Sequence, residues 1–151
     1  MNRKVLLAGL ALALGAGYTL TAFSQAKPEV LVKQRQAVMT LQGKYIGPLV
    51  GMVKGAPYDA NVVARNAAFL DALSQMPWDG FAESTKGEKS RALPAIWTDP
   101  AKFKQAQDQL RTAVGALVAA SKGGNEGAVK AAVGDIGKAC GNCHDNFREK
   151  Q

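Results

Sequence analysis

Two thiols and one imidazole are gathered near the C-terminus in the run Cys140-Gly141-Asn142-Cys143-His144. They are the only cysteines and the only histidine of the 151-residue chain. The spacing is C-x-x-C-H, which is the signature of covalent haem attachment. On a helix, positions i, i+3 and i+4 face the same way. Both thiols can therefore add to the two vinyl groups of one porphyrin while the adjacent imidazole meets the iron. Imidazole suits iron, and histidine is the usual proximal ligand in haem proteins. With no second histidine in the chain, bis-histidine ligation within one molecule is excluded. The opposite face of the iron is then open, or filled by a methionine, a lysine or an exogenous ligand.

Three other uses of a cysteine pair compete with this reading. A structural disulfide is permitted in an oxidising compartment, but a bridge closing so short a loop removes little chain entropy and does not need the histidine. A zinc site takes about four ligands, so a carboxylate would have to complete the set. A thioredoxin-type redox pair belongs beside a βαβ pattern, and sustained strand alternation is absent from this sequence. Motif and spacing favour haem.

The elements that must position these groups read as helices. The first opens at Pro28-Glu29, with proline in the first turn and an acid beside it. Leu31, Arg35, Val38, Met39, Gln42, Tyr45, Leu49 and Met52 follow at steps of three and four, with Gly47-Pro48 as an expected bend. Lys54-Gly55-Ala56-Pro57 ends the run. Asp59 caps a second helix whose buried stripe is expected at Val62, Val63, Asn66, Phe69, Leu70 and Leu73. Pro77 stops it. Residues 77–98 form a long connection holding both tryptophans, Trp78 and Trp97, and a connection of that length in a small domain is usually functional.

Asp99-Pro100 starts a third helix, with Phe103, Ala106, Leu110, Ala113, Val114, Leu117 and Val118 facing inward. Lys122-Gly123-Gly124 ends it. The fourth runs from about Glu126 to Arg148 and carries Val129, Val133, Ile136, Cys140, Cys143, His144 and Phe147 on one side. Four amphipathic helices with two short connections and one long one predict an all-α fold, an antiparallel four-helix bundle.

The N-terminus reads as an export signal. Arg3 and Lys4 precede an uncharged apolar run from Val5 to Leu20, and small residues then offer cleavage after Ser24 or Ala26. The run is shorter than the ~20 apolar residues of a permanent anchor. Residues 1–26 are thus expected to be a signal peptide and 27–151 a single folded domain in the periplasm, without a membrane segment. The formal charge of +7 is spread along the chain. It lacks the basic runs with interleaved aromatics that track nucleic acid, so no nucleic-acid partner is expected.

With these residues in view, the chain resembles the class II cytochromes c, the cytochromes c′ and their low-spin relatives of the cytochrome c-556 type. The resemblance rests on Lys138-Ala-Cys-Gly-Asn-Cys-His-Asp-Asn-Phe-Arg148. It extends to Pro28-Glu29, Arg35-Gln36, Lys54-Gly55, Pro57-Tyr58-Asp59, Pro77-Trp78 and Ile96-Trp97. It implies one haem c held by Cys140 and Cys143, with His144 as axial ligand. It also implies that Arg148 sits near the proximal imidazole, and that Arg35, with Gln36 beside it, lies near a haem propionate. An arginine in the buried phase of a helix needs an anionic partner, which agrees.

Met39 lies one turn after Arg35 and can point at the same haem. In high-spin relatives a bulky apolar residue fills this position; in low-spin ones a methionine there is the sixth ligand. Met52 and Met76 are expected to be packing residues.

The leading expectation is a five-coordinate, high-spin haem with a distal pocket of Met39, Val38 and aromatic neighbours, poor in hydrogen-bond donors. Such a pocket favours NO and CO over dioxygen. The alternative is a low-spin His144/Met39 electron carrier serving redox partner proteins. Catalysis is not expected, because peroxidase-like chemistry wants a distal acid–base pair and no second histidine exists. The resemblance further implies an antiparallel homodimer through the first two helices.

Overall fold

The computed structural model describes residues 26–150. The expected signal peptide, with cleavage after Ser24 or Ala26, lies outside the described residues apart from Ala26 itself. Helix α1 spans Pro28–Val53, α2 Ala60–Gln75, α3 Ala95–Thr98, α4 Pro100–Gly123 and α5 Glu126–Phe147. Among the described residues no helix is long and apolar enough to cross a membrane.

Local chemistry fixes these ends. The Asp59 carboxylate accepts from the N–H groups of Asn61 and Val62 at 2.9 and 3.1 Å. Asp99 accepts from Lys102 N–H at 3.1 Å and Asn125 from Ala128 N–H at 2.9 Å. Each satisfies an amide that the first helical turn leaves free. Helix α4 ends on Gly124, whose φ of +64° suits a residue without Cβ. Helix α1 continues through Pro48 as one 26-residue element, so the expected bend does not interrupt it.

The four long helices form an antiparallel bundle in which α1 packs on α2 and α5, and α4 on α2 and α5. Apolar side chains divide into two clusters. The larger joins Leu49, Val63, Leu70, Val114, Leu117, Val133 and Ile136 in the body of the bundle. The smaller joins Ile96, Phe103, Ala106 and Phe147, with Trp78, Phe81, Trp97 and Cys143 against it.

Two expectations of burial fail. Phe69 is 43% exposed and lies against the Tyr45 ring, with centroids 4.7 Å apart, at the outer seam of α1 and α2. Its place in the α2 stripe is taken by Ala67. Met76, at the end of α2 where the stripe has already turned outward, is 55% exposed and packs into nothing central, whereas Met52 is buried as expected.

The connection between α2 and α3 is more ordered than composition suggests. It folds into two 3-10 turns, Asp79–Phe81 and Glu83–Thr85, before α3. Both indoles anchor it. Trp78 Nε1 donates to Ser74 O at 2.8 Å and Trp97 Nε1 to Phe81 O at 2.9 Å. Its last part then runs antiparallel to the chain end, through an isolated bridge of Ala92 with Arg148. Leu93 N–H donates to Phe147 O at 3.0 Å and Glu149 N–H to Arg91 O at 2.9 Å.

Candidate haem site

Helix α5 turns Cys140, Cys143 and His144 into one cavity of about 300 Å³, and all three are half-buried. Helix α1 contributes Arg35, Gln36 and Met39 to the same cavity, α4 contributes Phe103, Ala106 and Leu110, and the connection contributes Trp78, Phe81 and Arg91. Arg148 closes it beyond the end of α5. The predicted site residues therefore meet in one place. Val38 is the exception: it is half-buried on α1 but does not line the cavity, because its direction is one residue out of phase with Met39.

Both cysteines are free thiols, so the disulfide alternative is not formed. Among the described residues no group of three His, Cys, Asp or Glu side chains could hold a metal ion, so the pair has no zinc set around it. Burial pushes both thiols up. Cys143 rises to about 11, with the neighbouring Cys140 adding and Arg148 opposing. Burial also holds His144 below the usual imidazole value, and the positive charges of Arg148 and Arg91 act in the same direction against Asp145. The neutral imidazole is favoured, and neutral imidazole is the form that ligates metal.

Arg35 supplies the opposite chemistry. It is only 5% exposed and forms no ion pair with any described residue. Its guanidinium lies 4.3 Å from the Phe81 ring centroid and donates through Nη1 to Gly80 O. Burial lowers its pKa from the arginine value, yet an arginine stays charged. A buried cation lacking a protein carboxylate calls for an anion in the cavity it lines.

These residues fit a haem. Cys140 and Cys143 could take its vinyl groups, His144 its iron, and Arg35 a propionate, while Phe81, Phe103 and Phe147 offer aromatic edges. Phe103 and Phe147 meet edge to face at 5.1 Å and Phe81 and Phe103 at 4.9 Å, a preferred geometry for such rings. Sequence reasoning did not find Arg91, Gly80 or Thr85. Arg91 belongs to no helical stripe, and its approach to His144 depends on the pairing of the connection with the chain end.

A helical bundle whose last helix carries a C-x-x-C-H turn into an apolar cavity defines the class of c-type haem proteins. The family model described as Cytochrome C' matches residues 30–148. The chain therefore belongs to the cytochrome c′ family and is a monohaem c-type cytochrome with one covalently bound haem c per chain.

Cytochrome c′ of Rubrivivax gelatinosus is 44% identical over 126 residues, covering 82% of this chain and 98% of that protein. Cytochrome c-556 of Rhodopseudomonas palustris is 35% identical over 158 residues, covering 100% of this chain and 99% of that protein. A solved structure of cytochrome c prime from Alcaligenes xylosoxidans, a ferrous variant with bound NO, is 41% identical with a TM-score of 0.78, covering 83% of this chain and 98% of that one.

Proposed function

We propose that this cytochrome is exported to the periplasm, carries its haem on Cys140 and Cys143 with His144 as the single protein ligand, and binds small neutral diatomic ligands such as NO and CO at a high-spin, five-coordinate iron. The observation that carries this reading is where three of the cavity's polar side chains point. Trp78 Nε1 donates to Ser74 O, Gln42 Nε2 to Leu73 O and Thr40 Oγ1 to Gln36 O, at 2.8, 2.9 and 2.9 Å. Three side chains that line the cavity thus direct donors into backbone carbonyls. A polarised dioxygen adduct needs a donor, whereas NO and CO need less polar help. The NO-bound relative agrees with the reading.

The haem chemistry supplied here is reversible ligand binding and one-electron exchange. The protein's part is to present a neutral imidazole, neutralise a propionate at Arg35 and keep the cavity apolar. Non-enzymatic action is part of the proposal. The sole histidine is assigned to the iron, and Arg35 is engaged by Gly80 and Phe81, which leaves no acid–base pair for peroxide chemistry.

Met39 lines the same cavity as His144, which supports a second reading: a low-spin carrier of electrons to partner proteins, with the Met39 thioether as sixth ligand. Absorption and EPR spectra of the ferric protein, followed by CO titration of the reduced form, separate the two. A high-spin signal and a CO-induced spectral change are expected. A low-spin spectrum with no CO response would overturn the gas-binding reading in favour of the carrier.

The seam formed by Leu41, Tyr45 and Phe69, with Leu41 39% and Phe69 43% exposed, supports a homodimer through α1 and α2.

A further inference from the structure

The 3-10 turns that follow α2 enclose a glycine in an unusually tight position. A Cβ on Gly80 would stand 2.6 Å from Arg35 Cβ and 2.8 Å from Leu31 O. The turn therefore lies directly on α1, and only a residue without a side chain lets it approach. At that contact the Gly80 carbonyl accepts from Arg35 Nη1, and the single proton of the Thr85 hydroxyl is shared between Ala82 O and, at 3.2 Å, the same Gly80 carbonyl. Thr85 is 1% exposed, and its hydroxyl lies 2.7 Å from Ala82 O. The Asp79 carboxylate fixes the preceding peptide by accepting from Gly80 N–H at 2.9 Å. Phe81, the next residue, supplies the ring beside the Arg35 guanidinium at 4.3 Å.

We propose that Gly80 and Thr85 are positioning residues for the haem's electrostatics: they form a cradle that fixes the Arg35 cation at the cavity wall and thereby sets the reduction potential. The proposal rests on the reading that Arg35 faces a propionate. A long arginine in an open cavity would sample several rotamers, and its effect on the iron would be averaged over them. Here the stem lies against Gly80, the head is held by a carbonyl, and the flat face by an aromatic ring. An arginine has five N–H donors, so those not used on Gly80 are available to a carboxylate in the cavity. A fixed positive charge stabilises the more negative, reduced haem, so loosening it lowers the potential.

The experiment measures the reduction potential of purified holoprotein for Thr85→Val, Thr85→Ser and Gly80→Ala, each with Arg35 and with Arg35→Leu. Thr85→Val keeps the shape and removes the hydroxyl; Thr85→Ser retains it. The expected result is a lowered potential for Thr85→Val and Gly80→Ala, a potential close to wild type for Thr85→Ser, and no further lowering by either of the first two once Arg35 is leucine. Where Gly80→Ala yields no folded protein, Thr85→Val and its serine control decide the matter. Thr85→Val with an unchanged potential, or with an equal shift in both backgrounds, would overturn the cradle while leaving Arg35 its propionate. Arg35→Leu with an unchanged potential would overturn the propionate reading itself, and the proposal with it.

Discussion

Arg91 and Glu149 are joined twice. Glu149 N–H donates to the Arg91 carbonyl at 2.9 Å, and the Arg91 guanidinium returns to the Glu149 carbonyl. Together with Leu93 N–H on Phe147 O, this clasp binds the connection to the two sides of Arg148. Arg148 has left the helix, with φ −131° and ψ 135°, and is held extended rather than free to fray. Its charge and that of Arg91 both reach His144, so the clasp sets the proximal electrostatics from two chain segments at once.

Arg91→Ala removes one of these bonds and one of these charges. We expect a stability loss of about 1 kcal/mol, the net worth of one such hydrogen bond, and faster amide exchange at Glu149. Hydrogen exchange followed by NMR checks both the size of the effect and its confinement to the chain end.

Met39→Leu tests the sixth position. In a high-spin protein it exchanges one apolar wall residue for another of similar volume, so the ferric spectrum and EPR signal stay as they were. Stability changes by less than about 1.5 kcal/mol. Conversion from low spin to high spin would instead identify Met39 as a ligand.

Much of this was legible in the sequence because each signal was local. Pro28, Asp59, Asp99 and Gly124 mark helix ends locally, the two aspartates by accepting from amides two or three residues on, Pro28 by standing in the first turn and Gly124 by its left-handed φ. The Cys140–His144 turn needs only helical spacing to bring its groups together. Arg35 announced itself as a charge in a buried phase. What escaped depends on contacts distant in sequence. The approach of Gly80 to Arg35 spans 45 positions and that of Arg91 to Glu149 spans 58, and neither segment carries a periodic pattern. Phe69 was misjudged for a related reason: helical phase marks the stripe, but its width depends on the neighbouring helix, and Phe69 falls at the edge.

Leu117 is fully buried in the larger cluster, away from the haem cavity. Leu117→Ala should cost about 2–5 kcal/mol, the range for emptying a packed core site. Chemical denaturation measures that loss, and the visible spectrum of the native protein should remain unchanged because no cavity-lining group moves.

Phe69→Lys tests the seam of α1 and α2. The side chain is 43% exposed in the single chain, so the monomer should lose little stability. A lysine facing its own copy adds repulsion and unpaired desolvation. Sedimentation is expected to report a dimer for the parent protein and a monomer for the variant; a dimer in both would place the interface elsewhere.

The separation of the apolar residues into two clusters bears on how the protein is made. Leu49, Val63, Val114, Leu117 and Ile136 pack among themselves without help from the cavity. Phe103, Phe147 and Trp78, by contrast, form the wall of a space. One end of the bundle is thus packed by the polypeptide alone, while at the other the side chains around Cys143 and His144 line the space that fits the haem, and Cys140 joins the two, packing on the larger cluster while it faces the cavity.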